Sequence, residues 1–201
     1  MAHRVITINR TYGSNGRLIG KRLAKELGIH FYDKELLKLA EELKNIPYEE
    51  LVKVDEQKPN PWRYPVNDPA QMEGQYRFYP MNDVLFHAQE EIILKLSDSE
   101  DCLIVGRCAN HILRYGKSVL RVLISAPMDY RTQAIAARAD TDRATAAALV
   151  KKADKQRKNY YEHYTGESWL SPGQYDICLD SSRLSEDQIV GILKELYNTV
   201  Q

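Results

Sequence analysis

The sequence predicts an α/β fold, a parallel sheet with helices on both faces. Three observations carry this reading. Short apolar runs at residues 4 to 9, 102 to 106, 119 to 125 and 176 to 180 are separated by segments of helical periodicity, the pattern of strands joined by crossover helices. The chain opens on a strand-like run, Val5-Ile6-Thr7-Ile8-Asn9, which feeds a glycine-containing turn and then a helix-patterned stretch from Leu18 to Leu27. It closes on Ser185-Glu186-Asp187-Gln188, a capping box, followed by Ile189, Ile192, Leu193 and Leu196 on one helical face.

The elements follow in order. The first helix places Ile19, Leu23 and Leu27 on one face and ends at Gly28, a left-handed cap. A weaker strand is read at His30-Phe31-Tyr32, with a helix from Lys34 to Leu43 after it. Residues 45 to 82 break the alternation, because Pro47, Pro59, Pro61, Pro65, Pro69 and Pro80 lie among scattered Tyr, Asn and Trp62 without a sustained period. This stretch reads as a loop-rich excursion, and its Tyr- and Pro-rich part, 59 to 80, is a candidate arm onto a second copy of the chain in a homodimer. From Thr141 to about Tyr164 runs a helix that becomes highly charged at Lys151, Lys152, Asp154, Lys155, Arg157 and Lys158. Most of these charges read as a solvated face, and Tyr160, Tyr161, Tyr164 and Trp169 as core packing. Asp154 and Arg157, three residues apart, are placed to form an ion pair that directs Arg157.

At 201 residues the chain is long enough to bury a sizeable core as one domain, and 43% hydrophobic with 28% charged residues is ordinary for a globular protein. With 28 basic and 28 acidic residues it carries no net formal charge, which argues against nucleic acid or an anionic membrane as partner. Any anion site must be local. Cys102, Cys108 and Cys178 lack the spacing of a zinc site or a disulfide framework; two of them, Cys102 and Cys178, lie in strand-like runs, and all read as reduced thiols of a cytoplasmic protein. No apolar run approaches the roughly 18 residues that a membrane span needs, and the first residues lack a signal-peptide core.

The turn after the first strand, Tyr12-Gly13-Ser14-Asn15-Gly16-Arg17, carries the chemistry. A strand, a glycine turn and a helix start direct backbone N–H groups and the helix dipole at one point, where a phosphate fits. Measured against a full phosphate-binding loop, Gly16 matches, Arg17 stands in the Lys place, Leu18 in the Ser/Thr place and Thr11 in that of the first Gly. Arg17 keeps the charge, whereas Leu18 has no hydroxyl to offer magnesium. The alternative is an ordinary turn whose glycines serve packing. Arg107 follows the apolar run Cys102 to Gly106 and so projects from a strand's carboxyl end, where α/β sheets place ligands; a structural ion pair is its alternative role. Gln89 is a candidate for a base-edge hydrogen bond or a plain exposed side chain, and His87, His111 and His163 read as surface or packed residues. Asp33, Asp154 and Asp180 are too scattered to assign a general base.

Four separated blocks resemble the cytidylate kinase-like family of P-loop nucleoside monophosphate kinases. They are Ile6 to Arg17, Gly28 to Leu36, Cys102 to Ala109, and the end from Tyr160-Tyr161 and Tyr164-Thr165-Gly166 to Tyr175-Asp176-Ile177-Cys178-Leu179-Asp180. The resemblance implies a three-layer α/β/α kinase fold on a five-stranded parallel sheet, one domain over 1–201. Within it lie an acceptor-binding insertion at 34–98 and a lid at 138–172. It implies transfer of the terminal phosphoryl of ATP, with Mg2+, to CMP or dCMP. Arg17 then grips donor phosphates with the amides of Gly13, Ser14, Asn15 and Gly16. Arg107 contacts the acceptor's phosphate, with Cys108 in the place of the family's Asp, and Asp33 opens the acceptor part, a role that can coexist with capping the helix at Lys34. Arg157, of the Asp154-x-x-Arg157 pattern, closes over the transferring group, with Arg138 and Arg143 as further lid candidates.

Three functions are compatible with these residues. One is a nucleotide kinase; the second is a kinase of the same architecture for another small acceptor, favoured by Cys108; the third is a non-catalytic nucleotide-binding protein, favoured by Leu18 and Thr11.

Overall fold

The computed structural model describes residues 3–57 and 80–200. Five parallel strands form one sheet in the order β2-β3-β1-β4-β5, with β1 Val5–Arg10, β2 His30–Tyr32, β3 Cys102–Val105, β4 Val119–Ser125 and β5 Ile177–Asp180. The helices are α1 Gly16–Leu27, α2 Glu35–Lys44, α3 Tyr48–Val52, α4 Met81–Ser99, α5 Ala109–Ile112, α6 Met128–Ala139, α7 Arg143–Thr165 and α8 Glu186–Thr199.

The central strands are apolar without alternation because both faces are covered. Cys102 and Ile104 of β3 enter one core with Val5, Leu36, Leu37, Leu85 and Ile93. Their neighbours Leu103 and Val105 enter the other with Ile6, Ile8, Leu23, Ile189 and Leu193. So α2 and α4 cover one face, α1 and α8 the other, which is the three-layer arrangement expected. The capping box at Ser185 and Gln188 is formed, and Gly28 ends α1 at φ 69°. The buried stripe of α8 runs through Ile189, Val190, Leu193 and Tyr197, rotated from the expected one so that Ile192 and Leu196 lie at its border.

Three local expectations change. Part of the presumed loop is helix, α3, and of the rest, including the presumed dimer arm at 59 to 80, residues 58–79 lie outside the described residues. Cys178 is exposed, since β5 is an edge strand and its neighbours Ile177 and Leu179 take the inward positions. Of the two readings of Gln89, the plain exposed side chain is not the one found: it is 1% exposed on α4.

The chain leaves β1 toward β2 and β3 on one side and later places β4 on the other. The loops after β1 and β3 therefore emerge side by side at the switch point of the sheet, where α/β folds bind ligands. Among the described residues, no helix is long and apolar enough to cross a membrane.

Candidate active site

The turn after β1 is held from beneath. Thr11 N–H donates to Ile124 O at 3.1 Å, continuing the ladder, and Ser14 N–H returns to Thr11 O at 3.3 Å. The Ser14 hydroxyl is fully buried, within 2.9 Å of Thr11 O and 3.0 Å of Ile124 O, while Ser181 donates to Ser14 O at 2.8 Å. Ser14 is thus consumed in shaping the turn and presents neither its hydroxyl nor its amide. Gly13 has φ 86°, and a Cβ there would meet Arg131 O at 2.8 Å, so only glycine fits. Asn15, also left-handed at φ 62°, makes no side-chain cap to α1; its amide oxygen instead accepts from Arg138.

Among the described residues, no acceptor faces the N–H groups of Gly13, Asn15, Gly16, Arg17 and Leu18. A helix start without a cap keeps its unpaired donors and its positive dipole end. These groups border a hollow of about 220 Å³ lined by Arg10, Arg17, Arg138 and Arg157 and by no carboxylate. Tyr12 N–H is excepted, because Asp154 accepts from it at 2.7 Å.

Beside this hollow the carboxyl ends of the strands carry a chain of ion pairs. Asp33, just past β2, accepts from Arg17 Nε on one oxygen and from Arg107 Nη1 at 3.1 Å on the other. It does not cap α2, whose N-cap is Lys34 without a side-chain bond, because its oxygens are taken. Burial would push the Asp33 carboxyl up, but the Arg107 charge and the hydrogen bonds from Arg17 and Arg107 more than offset this and hold it below the usual carboxylate range.

Arg107 is 2% exposed and makes four hydrogen bonds, to Asp33, to Val105 O and twice to Asp55. Gly106, Arg107 and Cys108 all have positive φ, 76°, 51° and 56°, so β3 ends in a strained left-handed turn that aims Arg107 into the cluster. Gln89 donates to Asp55 at 3.2 Å and accepts from Tyr160 at 3.3 Å. Cys108 is buried with Phe86, Tyr160, Tyr161 and Trp169, and that burial pushes its thiol well up.

On α7, Arg157 donates to Arg10 O at 3.2 Å and approaches Glu56 at 3.5 Å and the Tyr12 ring at 5.5 Å. Its pKa is lowered to about 10, first by burial and then by the neighbouring Arg10 charge, with Glu56 and Asp154 acting against both. The expected Asp154–Arg157 pair is absent. Asp154 turns to Arg131 of α6 and to Tyr12 N–H, tying the turn to α6 and α7. Tyr160, Tyr161 and Trp169 are buried as expected and anchor α7, and Trp169 and Tyr175 bond the Asn9 side chain at the end of β1. Arg143 pairs with Asp129 in solvent and does not line the hollow.

Sequence reasoning missed Arg10, Asp55, Glu56 and Arg131. Arg10 carried the same signal as Arg107, an arginine directly after an apolar strand. Asp55 and Glu56 carried none, since they arrive from the turn after α3.

The profile of the cytidylate kinase-like family matches residues 5–183. A cytidylate kinase of Methanopyrus kandleri is 25% identical over 199 residues, spanning 94% of this chain and 91% of that protein. A solved structure of an uncharacterized protein from Eubacterium ventriosum is similar with a TM-score of 0.73 and 25% identity, covering 98% of this chain and 99% of the other. Shikimate kinase from Bacteroides thetaiotaomicron shares the fold at a TM-score of 0.54 and 14% identity, covering 97% of this chain and 98% of its own. With the strand order, the uncapped loop and the match over most of its length, the chain belongs to the cytidylate kinase-like family.

Proposed function

We propose that this protein transfers the terminal phosphoryl group of ATP to a nucleoside monophosphate, with CMP or dCMP as the first choice. One observation carries the proposal: a hollow bordered by the free amides of an uncapped helix start and by four arginines, with no carboxylate in its wall. Family membership and the cytidylate kinase relative support the same reaction class.

In this reading Gly13, Asn15, Gly16 and Arg17 hold the donor's phosphates. Arg107 and Arg157 face the acceptor, and Asp33 fixes Arg17 and Arg107 relative to each other. An oxygen of the acceptor's phosphate attacks the terminal phosphorus as its bond to the bridging oxygen breaks, and ADP leaves. Charge spreads over the oxygens in that transition state, so positioned guanidinium groups and amides supply the catalysis and no strong base is required.

The loop's donor set does not fit a magnesium ion held by protein. Leu18 stands at the hydroxyl position, the Ser14 hydroxyl is used internally, and no cluster of three or more His, Cys, Asp or Glu suited to a metal occurs among the described residues. Magnesium therefore belongs to this proposal only as the counter-ion that ATP brings on its phosphates.

Cys108 favours a second reading, a different small acceptor, since a buried thiol among aromatic rings offers no carboxylate to a cytosine edge. Coupled ATP-to-ADP turnover over a panel of nucleoside monophosphates and other small acceptors tests both. Turnover on CMP or dCMP is expected, with Arg17→Met and Arg157→Met each lowering kcat/KM by about 10²-fold. ATP binding without transfer to any acceptor would overturn the kinase reading.

A further inference from the structure

The carboxylates that close the arginine cluster come from two adjacent residues in the turn after α3. Glu56 meets Arg10 with both oxygens, at 2.8 and 3.2 Å, and Asp55 meets Arg107 with both, at 2.8 and 3.2 Å. Each is a fork-to-fork pair, the geometry in which a guanidinium also grips phosphate. The Glu56 carboxylate rests on the end of β3: a Cβ on Gly106 would lie 2.3 Å from both Glu56 Oε1 and Arg10 Nη1. Glu56 itself has φ 51°, a left-handed conformation unusual for its type. Arg10 is buried and its Nε still has no partner among the described residues. The space among Asn9, Glu56, Arg107 and Arg157 is about 10 Å³, room for one water and not for a phosphate.

We propose that Asp55 and Glu56 are an internal occupant of the acceptor's anion site, holding Arg10, Arg107 and Arg157 until a dianionic group displaces them. The ligand class follows from charge. Asp33 stays on Arg107; Asp55 and Glu56 add two negative charges against Arg10, Arg107 and Arg157, and a phosphate monoester replaces those two charges when the pair leaves. A carboxylate or a phosphodiester brings one charge and leaves the cluster short. Burial would raise the Glu56 pKa, but the Arg10 and Arg157 charges hold it far below the usual range, so Glu56 stays ionised against these guanidinium groups. The acceptor's apparent affinity is reduced by the fraction of molecules in which the pair is seated. The name of the acceptor rests on the proposed function; the displacement does not.

The test uses the full chain and inorganic phosphate, without ATP and without turnover, so its failure leaves the kinase reading standing and the reverse also holds. Calorimetry is expected to show phosphate binding about tenfold tighter in Glu56→Gln than in the parent chain, because the competing charge is gone. Unchanged or weaker binding in a folded variant overturns the proposal. Hydrogen exchange on the parent chain needs no variant. The amides of Asp55 and Gln57, bonded to Leu51 O and Val54 O at 3.1 Å, are expected to exchange faster when phosphate binds. Unaltered or slower exchange overturns the displacement, and an equal response to dimethyl phosphate, a monoanion, overturns the requirement for a dianion.

Discussion

Asp33→Asn tests the ion-pair chain at its joint, because this one carboxylate serves Arg17 and Arg107 together. Removing one member of a buried pair costs about 3–5 kcal/mol through the charge left behind. Two features reduce that here. Arg107 keeps both oxygens of Asp55. Arg17 is 49% exposed in its side chain, so water takes over and its share is at most about 1 kcal/mol. The expected loss is about 2–3 kcal/mol, which at a urea dependence of roughly 2–3 kcal/mol per M moves the unfolding midpoint down by about 1 M. The pH dependence is a second signature. Folding holds the Asp33 carboxyl below its ordinary 3.8, so the unfolded chain binds the proton more readily and the contribution is complete above that value. It fades as pH falls through 3.8 toward the folded value, and the gap between parent and variant narrows over the same window. A midpoint shift under about 0.3 M, or a gap that widens on acidification, would refute the reasoning.

Gly106→Ala places a methyl 2.3 Å from Arg10 and Glu56 at φ 76°, so a loss of about 2 kcal/mol or more and a melting temperature lower by about 4–8 °C are expected; unchanged melting would mean that the pair does not rest on this glycine. Ser185→Ala removes the capping box of α8 and is expected to cost about 1 kcal/mol in urea unfolding. Phosphate binding by the same variant is expected to be unchanged, and a weakened affinity would show that α8 communicates with the site.

The fold was legible because its signals are local. Continuous apolar runs such as Cys102 to Val105 mark strands buried on both faces, and Gly28 and Ser185 end and start helices with their own backbone and side chains. The loop after β1 was legible for the same reason, since its left-handed turn is written in Gly13 and the helix start in Gly16. Less visible were the roles of residues within it. Ser14 reads as an amide donor, but its N–H returns to Thr11 O and its hydroxyl is buried against Thr11 O and Ile124 O.

Ion-pair partners are of another kind. Periodicity placed Asp154 and Arg157 on one helical face, but side chains choose among every group within reach, and Arg131 of α6 lies nearer to Asp154. Glu56 reaches Arg10 across 46 residues and lies beside Arg157, and nothing in the stretch around it announces either contact. The amino-acid order thus carried the architecture and the left-handed turn before an uncapped helix, both products of short-range sterics and burial. Which carboxylate neutralises which arginine was decided only when the strand ends came together, because Coulomb energy depends on distance in space and desolvation, and neither is encoded in spacing along the chain.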